Sequence, residues 1–192
     1  MKAFLGVIGV LVLIALVGGG CVMRGYNEAM TLDANVKQNW SEVENQLQRR
    51  FDLIPQLVET VKGVAGQEQK VFLGIAEAQK AYFQAGSVAQ KAEAASDLQG
   101  ALSRLLLLQQ QYPQLKSNEN FLKLQDSIEG TENRLSVARN HYNGAVQQLD
   151  VFMRQFPSSF YASLAGVEHP AYFKVTNEEA KTAPKIDFSG KS

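Results

Sequence analysis

From Ala3 to Met23 the chain runs twenty-one consecutive positions without a charged side chain, and from Tyr26 onward it becomes polar with a three-and-four apolar spacing. A helix rises about 1.5 Å per residue, so about twenty such residues match a hydrocarbon core of roughly 30 Å. One bilayer-length apolar stretch ahead of long amphipathic segments constrains the fold to helices. The expected class is all-α: an N-terminal transmembrane helix, an antiparallel bundle of long helices, a short C-terminal helix and a flexible tail. The boundaries follow the change of composition, with residues 1–24 as anchor, 25–175 as bundle and 176–192 as tail.

The apolar stretch admits three readings. A single transmembrane helix is the first. A cleaved signal peptide is the second, with Lys2 as a minimal basic region and Gly18-Gly19-Gly20 as a small-residue cleavage site. In the third, Cys21 is acylated after cleavage, although Val17 stands one place too early for the usual leucine of a lipoprotein signal. As a plain residue, Cys21 is a small hydrophobe in an apolar helix. It is the sole cysteine, so no intramolecular disulfide forms. Positive charges balance across the span, the amino terminus and Lys2 against Arg24 and Lys37. With only two residues before the span, the bundle is expected to face away from the cytoplasm.

The clearest amphipathic pattern comprises Phe121, Leu124, Ile128, Thr131, Leu135, Ala138, Tyr142, Ala145, Leu149, Phe152 and Phe156. Eight charged residues fall within 121–156 and none on this seam. Chance would place about two there, so the seam is a buried stripe. Ser117 or Asn118 caps its start and Pro157 ends it. A second stripe runs through Val36, Trp40, Val43, Leu47, Phe51, Ile54, Val58, Val61 and Ala65, continuing through Phe72, Ile75 and Tyr82. Pro55 predicts a kink without a break, with Gly63 and Gly66 as weaker points. Read as one rod, Gly25–Ala81 would reach about 80 Å. A third helix is outlined by Val88, Ala92, Ala95, Leu98, Leu102, Leu105 and Tyr112, and stopped by Pro113. It covers less than half of the first rod. The uncovered length is expected to lie bare, to sit under the final helix, or to pack on another subunit. Beyond Pro157 a short helix is expected, and Lys185-Ile186-Asp187-Phe188 is the one tail fragment able to add a strand.

Nineteen basic and nineteen acidic residues cancel, which removes the clustered cationic footprint of a nucleic-acid binder. His141 and His169 have no ligand-spaced companions, and no phosphate loop, metalloprotease pair or nucleophile elbow occurs. A non-enzymatic protein without a cofactor or metal is therefore expected. The densest polar clusters are Gln46–Asp52 and Thr131–Arg134, with Arg139 and Asn143 beyond. Antiparallel packing would set Arg49 or Arg50 opposite Glu132, and Arg139 opposite Asp52 or Glu59. Arg49, Arg50, Asp52, Glu132, Arg134 and Arg139 are thus the candidate register or interaction residues. Ion pairs flanking a seam set its register, while an exposed arginine patch would dock a partner. The partners expected are the lipid bilayer, a second copy of the chain, or another membrane protein such as a protease or signalling receptor.

Three ordered stretches carry a resemblance. They are Arg49-Arg50-Phe51-Asp52-Leu53-Ile54-Pro55-x-Leu57-Val58-x-x-Val61-Lys62, then Tyr112-Pro113-x-Leu115-Lys116-x-Asn118-x-x-Phe121-x-x-Leu124-Gln125, and Thr131-Glu132-Asn133-Arg134-x-x-x-Ala138-Arg139-x-x-Tyr142-Asn143. With Tyr26-Asn27, Trp40, Phe156-Pro157 and Tyr172-Phe173, the chain resembles the LemA family over nearly its whole length. The resemblance implies a bacterial single-pass membrane protein of long helices with no known enzymatic activity, so it brings no catalytic set. One departure is Leu164-Ala165-Gly166-Val167-Glu168-His169, where relatives often carry a Gly-Phe pair. Docking of the C-terminal region is expected to differ there.

Overall fold

The computed structural model describes residues 2–174, apart from the side chains of 2–5, 7 and 10. The expected tail, and the strand fragment within it, lie outside the described residues. All regular structure among those residues is helical: α1 (Lys2–Ala65), α2 (Gln69–Gln84), α3 (Val88–Gln111), α4 (Pro113–Lys116), α5 (Glu119–Arg154) and α6 (Ser158–Leu164). The chain forms two compact units. One joins Met1–Arg49 with Thr131–Tyr172, and the other comprises Arg50–Gly130 with Phe173 onward.

In the second unit, the C-terminal part of α1 turns back into α2 through residues 66–68. The Lys62 ammonium lies 5.4 Å from the Phe72 ring centroid, and Phe51 lies 4.8 Å from Tyr82 and 5.1 Å from Phe83. As α1 numbers fall from Lys62 to Phe51, their α2 partners rise from Phe72 to Tyr82 and Phe83, so the two helices are antiparallel. The single rod expected over Gly25–Ala81 is therefore a hairpin. Gly63 sacrifices about 1 kcal/mol of helix propensity just before the bend, Gly66 lies in the turn itself, and doubling back covers Phe51 with Tyr82 and Phe83. Lys62 in the last turn also complements the negative end of the α1 dipole.

α3 returns alongside. Lys91 lies 5.7 Å from the Tyr82 ring, and the Tyr112 hydroxyl donates to Glu68 Oε1 at 3.1 Å and accepts from Gln67 Nε2 at 3.2 Å. Ser87 caps α3 by accepting from the Gln90 amide, and Pro113 occupies the first turn of α4. Asn118 Oδ1 accepts from the Phe121 amide at 3.0 Å, so Asn118 caps α5. The middle of the α3 stripe holds, with Ala92, Ala95, Leu98, Leu102 and Leu105 buried; Ala94 and Leu108 join it, while its expected ends Val88 and Tyr112 are only half-buried.

α1 runs through Pro55 unbroken, its ring exposed on the outer face. Just beyond, Leu57 is fully buried and Val58 only partly so, a one-residue correction to the expected stripe. The two side chains are equally apolar, so spacing alone had no ground for choosing between them.

In the first unit, the N-terminal part of α1 lies antiparallel to the C-terminal part of α5. Trp40 meets the Tyr142 ring edge-on at 5.2 Å, while Gly25, fifteen residues earlier by number, meets Tyr161 of α6. Along the whole of α5 the expected seam is buried at Phe121, Ile128, Thr131, Leu135, Ala138, Tyr142, Ala145 and Leu149, with Val146 added and Leu124 only half-buried. Its expected last member is a correction: Phe156 is 91% exposed. α5 ends at Arg154, so Phe156 falls in the turn before Pro157 and leaves the helical face. Ser158 Oγ donates to the carbonyls of Phe152 at 2.6 Å and Gln155 at 3.0 Å, closing the helix end.

α6 docks on bare backbone. A Cβ built on Gly25 would stand 2.0 Å from Cδ2 of the Tyr161 ring. Gly25→Ala gains about 1 kcal/mol of helix propensity against an overpacking penalty of about 1–3 kcal/mol. Net destabilisation of α6 docking is expected, read as faster proteolysis between Gln155 and Ser159. Tyr161→Ala in the same chain should remove the clash without restoring full protection.

Among the described residues, no helix is long and apolar enough to cross a membrane. The anchor expected over residues 1–24 falls partly outside them, since its side chains at 1–5, 7 and 10 are not described. Residues 11–21, which are described, are all exposed along α1.

Candidate functional site

A groove of about 510 Å³ opens in the first unit between α1 and α5. Glu42 and Gln46, one turn apart, form the α1 wall; Asn133, Arg134, Val137, Ala138 and His141, at helical spacing, form the α5 wall. Gln46 is only 5% exposed, and its Nε2 donates to Glu42 Oε1 at 2.5 Å. Its own Oε1 is buried and receives no hydrogen bond. A buried amide oxygen left without a donor is unfavourable by about 1–3 kcal/mol, and this one is closed off from the groove as well as from solvent. Val137 is 54% exposed beside it, and Arg134 and His141 stand exposed at the rim. The combination suits binding of a polar, partly apolar segment. It has no nucleophile paired with a base.

The six candidate residues separate. Arg134 lines the groove. Arg139 Nη1 donates to Glu132 Oε1 at 3.2 Å along the same helix, two turns apart. Burial lowers the Arg139 pKa from its ordinary value, with the Glu132 carboxylate opposing that shift. Arg50 is only 2% exposed and its guanidinium donates to Gln99 Oε1 of α3. It belongs to the core, which corrects the expectation of an exposed arginine pair. Arg49 and Asp52 are exposed on α1. Of the expected pairings, Arg49 with Glu132 falls within the first unit, whereas Arg50 with Glu132 and Arg139 with Asp52 or Glu59 join residues of different units. Glu42 and Val137 had drawn no attention in the sequence. Their only signal was the turn spacing with Gln46 and with Asn133 and His141.

Beside the groove, the Tyr142 hydroxyl donates to the Ala171 carbonyl at 2.8 Å, holding the segment after α6 against α5. Burial raises the phenol pKa. The folded chain therefore keeps this proton to higher pH than the unfolded chain does. The associated stability is present below about pH 10 and is lost as pH rises through the folded value. Tyr142→Phe should lose about 1 kcal/mol at neutral pH and flatten the alkaline limb of a stability-against-pH curve. An unchanged alkaline limb would show that another group controls it.

Among the described residues the protein is all-helical, with the groove lying between two of its helices. The chain belongs to the LemA family, whose model matches residues 39–188. It is similar to magnetosome protein MamQ 1 and MamQ 2 of Paramagnetospirillum magneticum, each 24% identical over 194 residues, covering 88% of this chain and 71% of the relative. Magnetosome protein MamQ of Magnetospirillum gryphiswaldense is 23% identical over 178 residues, covering 79% of this chain and 65% of its own.

Proposed function

We propose that this chain is a non-enzymatic structural protein of the bacterial envelope, tethered by residues 3–23 and self-associating. The observation that carries the tether is the bare start of α1. Leu11, Val12, Leu13, Ile14, Leu16 and Val17 are each at least half exposed and follow one another without a polar residue. A helix apolar all round belongs in lipid or beneath another protein. The uncharged run over Ala3–Met23 matches lipid by length. Alkaline carbonate extraction of native membranes tests the reading. The full chain should stay in the pellet, and its release into the supernatant would overturn the tether.

Self-association rests on Ala15-x-x-x-Gly19, a small-residue pair that lets helices approach closely in lipid. A Cβ on Gly19 meets nothing within 4 Å in the monomer. Gly19→Leu should therefore leave the fold intact while abolishing cross-linked dimers in native membranes. Dimers that persist would remove the self-association clause. The hairpin of α1 and α2 removes the excess rod length that first suggested an oligomer, so this pair now stands alone.

A second reading is favoured by the groove: an adaptor or regulator of another membrane protein, a protease or signalling receptor. Its exposed Arg134 and half-exposed Val137 supply a charge and an apolar contact side by side. In that reading Arg49 extends the docking surface of the first unit and Asp52 is an exposed candidate on the second, while Glu132 with Arg139 in the first unit and Arg50 in the second set register. Arg134→Glu should then abolish recovery of a cross-linked membrane partner with helicity unchanged. An extracytoplasmic bundle is part of both readings, and a membrane-impermeant thiol reagent against Ser136→Cys in intact cells checks it.

A further inference from the structure

The C-terminal elbow of the first unit exposes apolar side chains that its own fold does not use. Phe156 is 91% exposed, Phe160 59% and Leu164 55%. Phe160 and Leu164 lie one turn apart on a single face of α6, and Phe156 precedes them in the turn. Burying the same residues elsewhere in the chain would have been favourable, so their exposure calls for an occupant.

Position identifies that occupant. The Tyr161 ring lies directly on Gly25, and Gly25 is two residues beyond Met23, the last residue of the uncharged run. Along a helix this is a rise of about 3 Å. If residues 3–23 fill the hydrocarbon, α6 is held at the level of the headgroups. Aromatic side chains favour that layer, where a ring meets both acyl chain and water. On α1 at the same level, Met23, Tyr26 and Met30 are exposed and continue the apolar surface. Charged groups here are mixed: Arg24 and Glu28 on α1, and Asp150 with Arg154 at 3.0 Å and His169 at 3.5 Å.

We propose that α6 and its preceding turn form a second membrane contact, an interfacial foot in which Phe156, Phe160 and Leu164 enter the lipid headgroup layer beside the emerging α1. This rests on the tether proposed above. The foot fixes the tilt of the first unit against the bilayer, where a single helix would leave it to swivel. Because the charges nearby are of both signs, the contact is apolar and does not require anionic lipid.

Full-length protein in phosphatidylcholine vesicles provides the test. In a Cys21→Ser background, Val12→Cys, Ser163→Cys or Ser136→Cys carries an NBD fluorophore, and doxyl lipids quench either near the headgroup or at mid-chain. The expected result is quenching of residue 12 by the mid-chain label, of residue 163 by the shallow label, and of residue 136 by neither. Adding Phe156→Ser, Phe160→Ser and Leu164→Ser should bring residue 163 down to the level of residue 136, with circular dichroism unchanged. If residue 12 is quenched while residue 163 behaves like 136, the foot is wrong and the tether stands. A residue-163 probe that is blue-shifted yet unquenched would mean that a second copy covers the elbow, which also overturns the proposal. No quenching at residue 12 would overturn both.

Discussion

Phe51→Ala is expected to remove about 3–5 kcal/mol of stability. The ring is 3% exposed and stacks obliquely on both Tyr82 and Phe83, at 4.8 and 5.1 Å. Those contacts fasten α2 onto α1, so the loss includes the closing of the hairpin as well as transfer of the ring to water. Domains of this size hold only about 5–15 kcal/mol in all, so the variant should be largely unfolded at modest urea concentration. Leu73→Ala provides the contrast. Leu73 is on α2 but 58% exposed, and its loss should stay within about 0.5 kcal/mol. Urea titration of helicity in nanodiscs measures both. Comparable midpoints for the two variants would mean that α2 is not held by the aromatic cluster.

Arg50 gives the second large effect, and its direction depends on what replaces it. The side chain is the largest of the fully buried ones, and its guanidinium is bonded to Gln99 across to α3. Arg50→Ala removes a charge-assisted hydrogen bond to the half-buried Gln99 and opens a cavity in the core, for an expected loss of about 3–5 kcal/mol. Arg50→Met keeps the length of the stem and fills the volume, and a buried ion site replaced by a well-packed apolar chain is often close to neutral. The prediction is thus a gap of at least about 2 kcal/mol between the two variants, read from urea midpoints. Equal losses would mean that the charge, and not the packing, dominates. Arg49→Glu, on the exposed neighbour, should leave stability within about 0.5 kcal/mol. It is therefore the clean probe of partner docking, whereas a charge reversal at Arg50 would report unfolding.

The periodic parts of the fold were legible from the residues. The seam from Phe121 to Leu149, the Ala92–Leu105 stripe and the caps at Asn118 and Pro113 all follow from helical spacing and local chemistry. What escaped was decided by tertiary contact. Gly63 and Gly66 marked weakness, but nothing local distinguishes a weak point in a rod from the bend of a hairpin. That choice was made by Phe72, Ile75 and Tyr82 returning onto α1. Phe156 continued the seam by number, yet α5 stops two residues earlier. Arg49 and Arg50 are chemically identical neighbours, and a helix turns about 100° between them, sending one to solvent and the other into the core. The groove was not legible either, because its walls come from segments of α1 and α5 almost ninety positions apart.

The account turns on lipid surrounding the first part of α1, and a paired substitution in the middle of that segment interrogates it. Leu13 and Leu16 are 64% and 72% exposed, so arginine at both positions touches no packed neighbour and should leave the helical units folded. In a bilayer each arginine near the centre of a span is unfavourable by about 2.5–3.5 kcal/mol. Retention of Leu13→Arg with Leu16→Arg in carbonate-washed membranes, set against the parent chain, is the measurement. The account predicts that the parent stays with the membrane and the double variant leaves it while keeping its helicity. Equal partitioning of the two chains would contradict it.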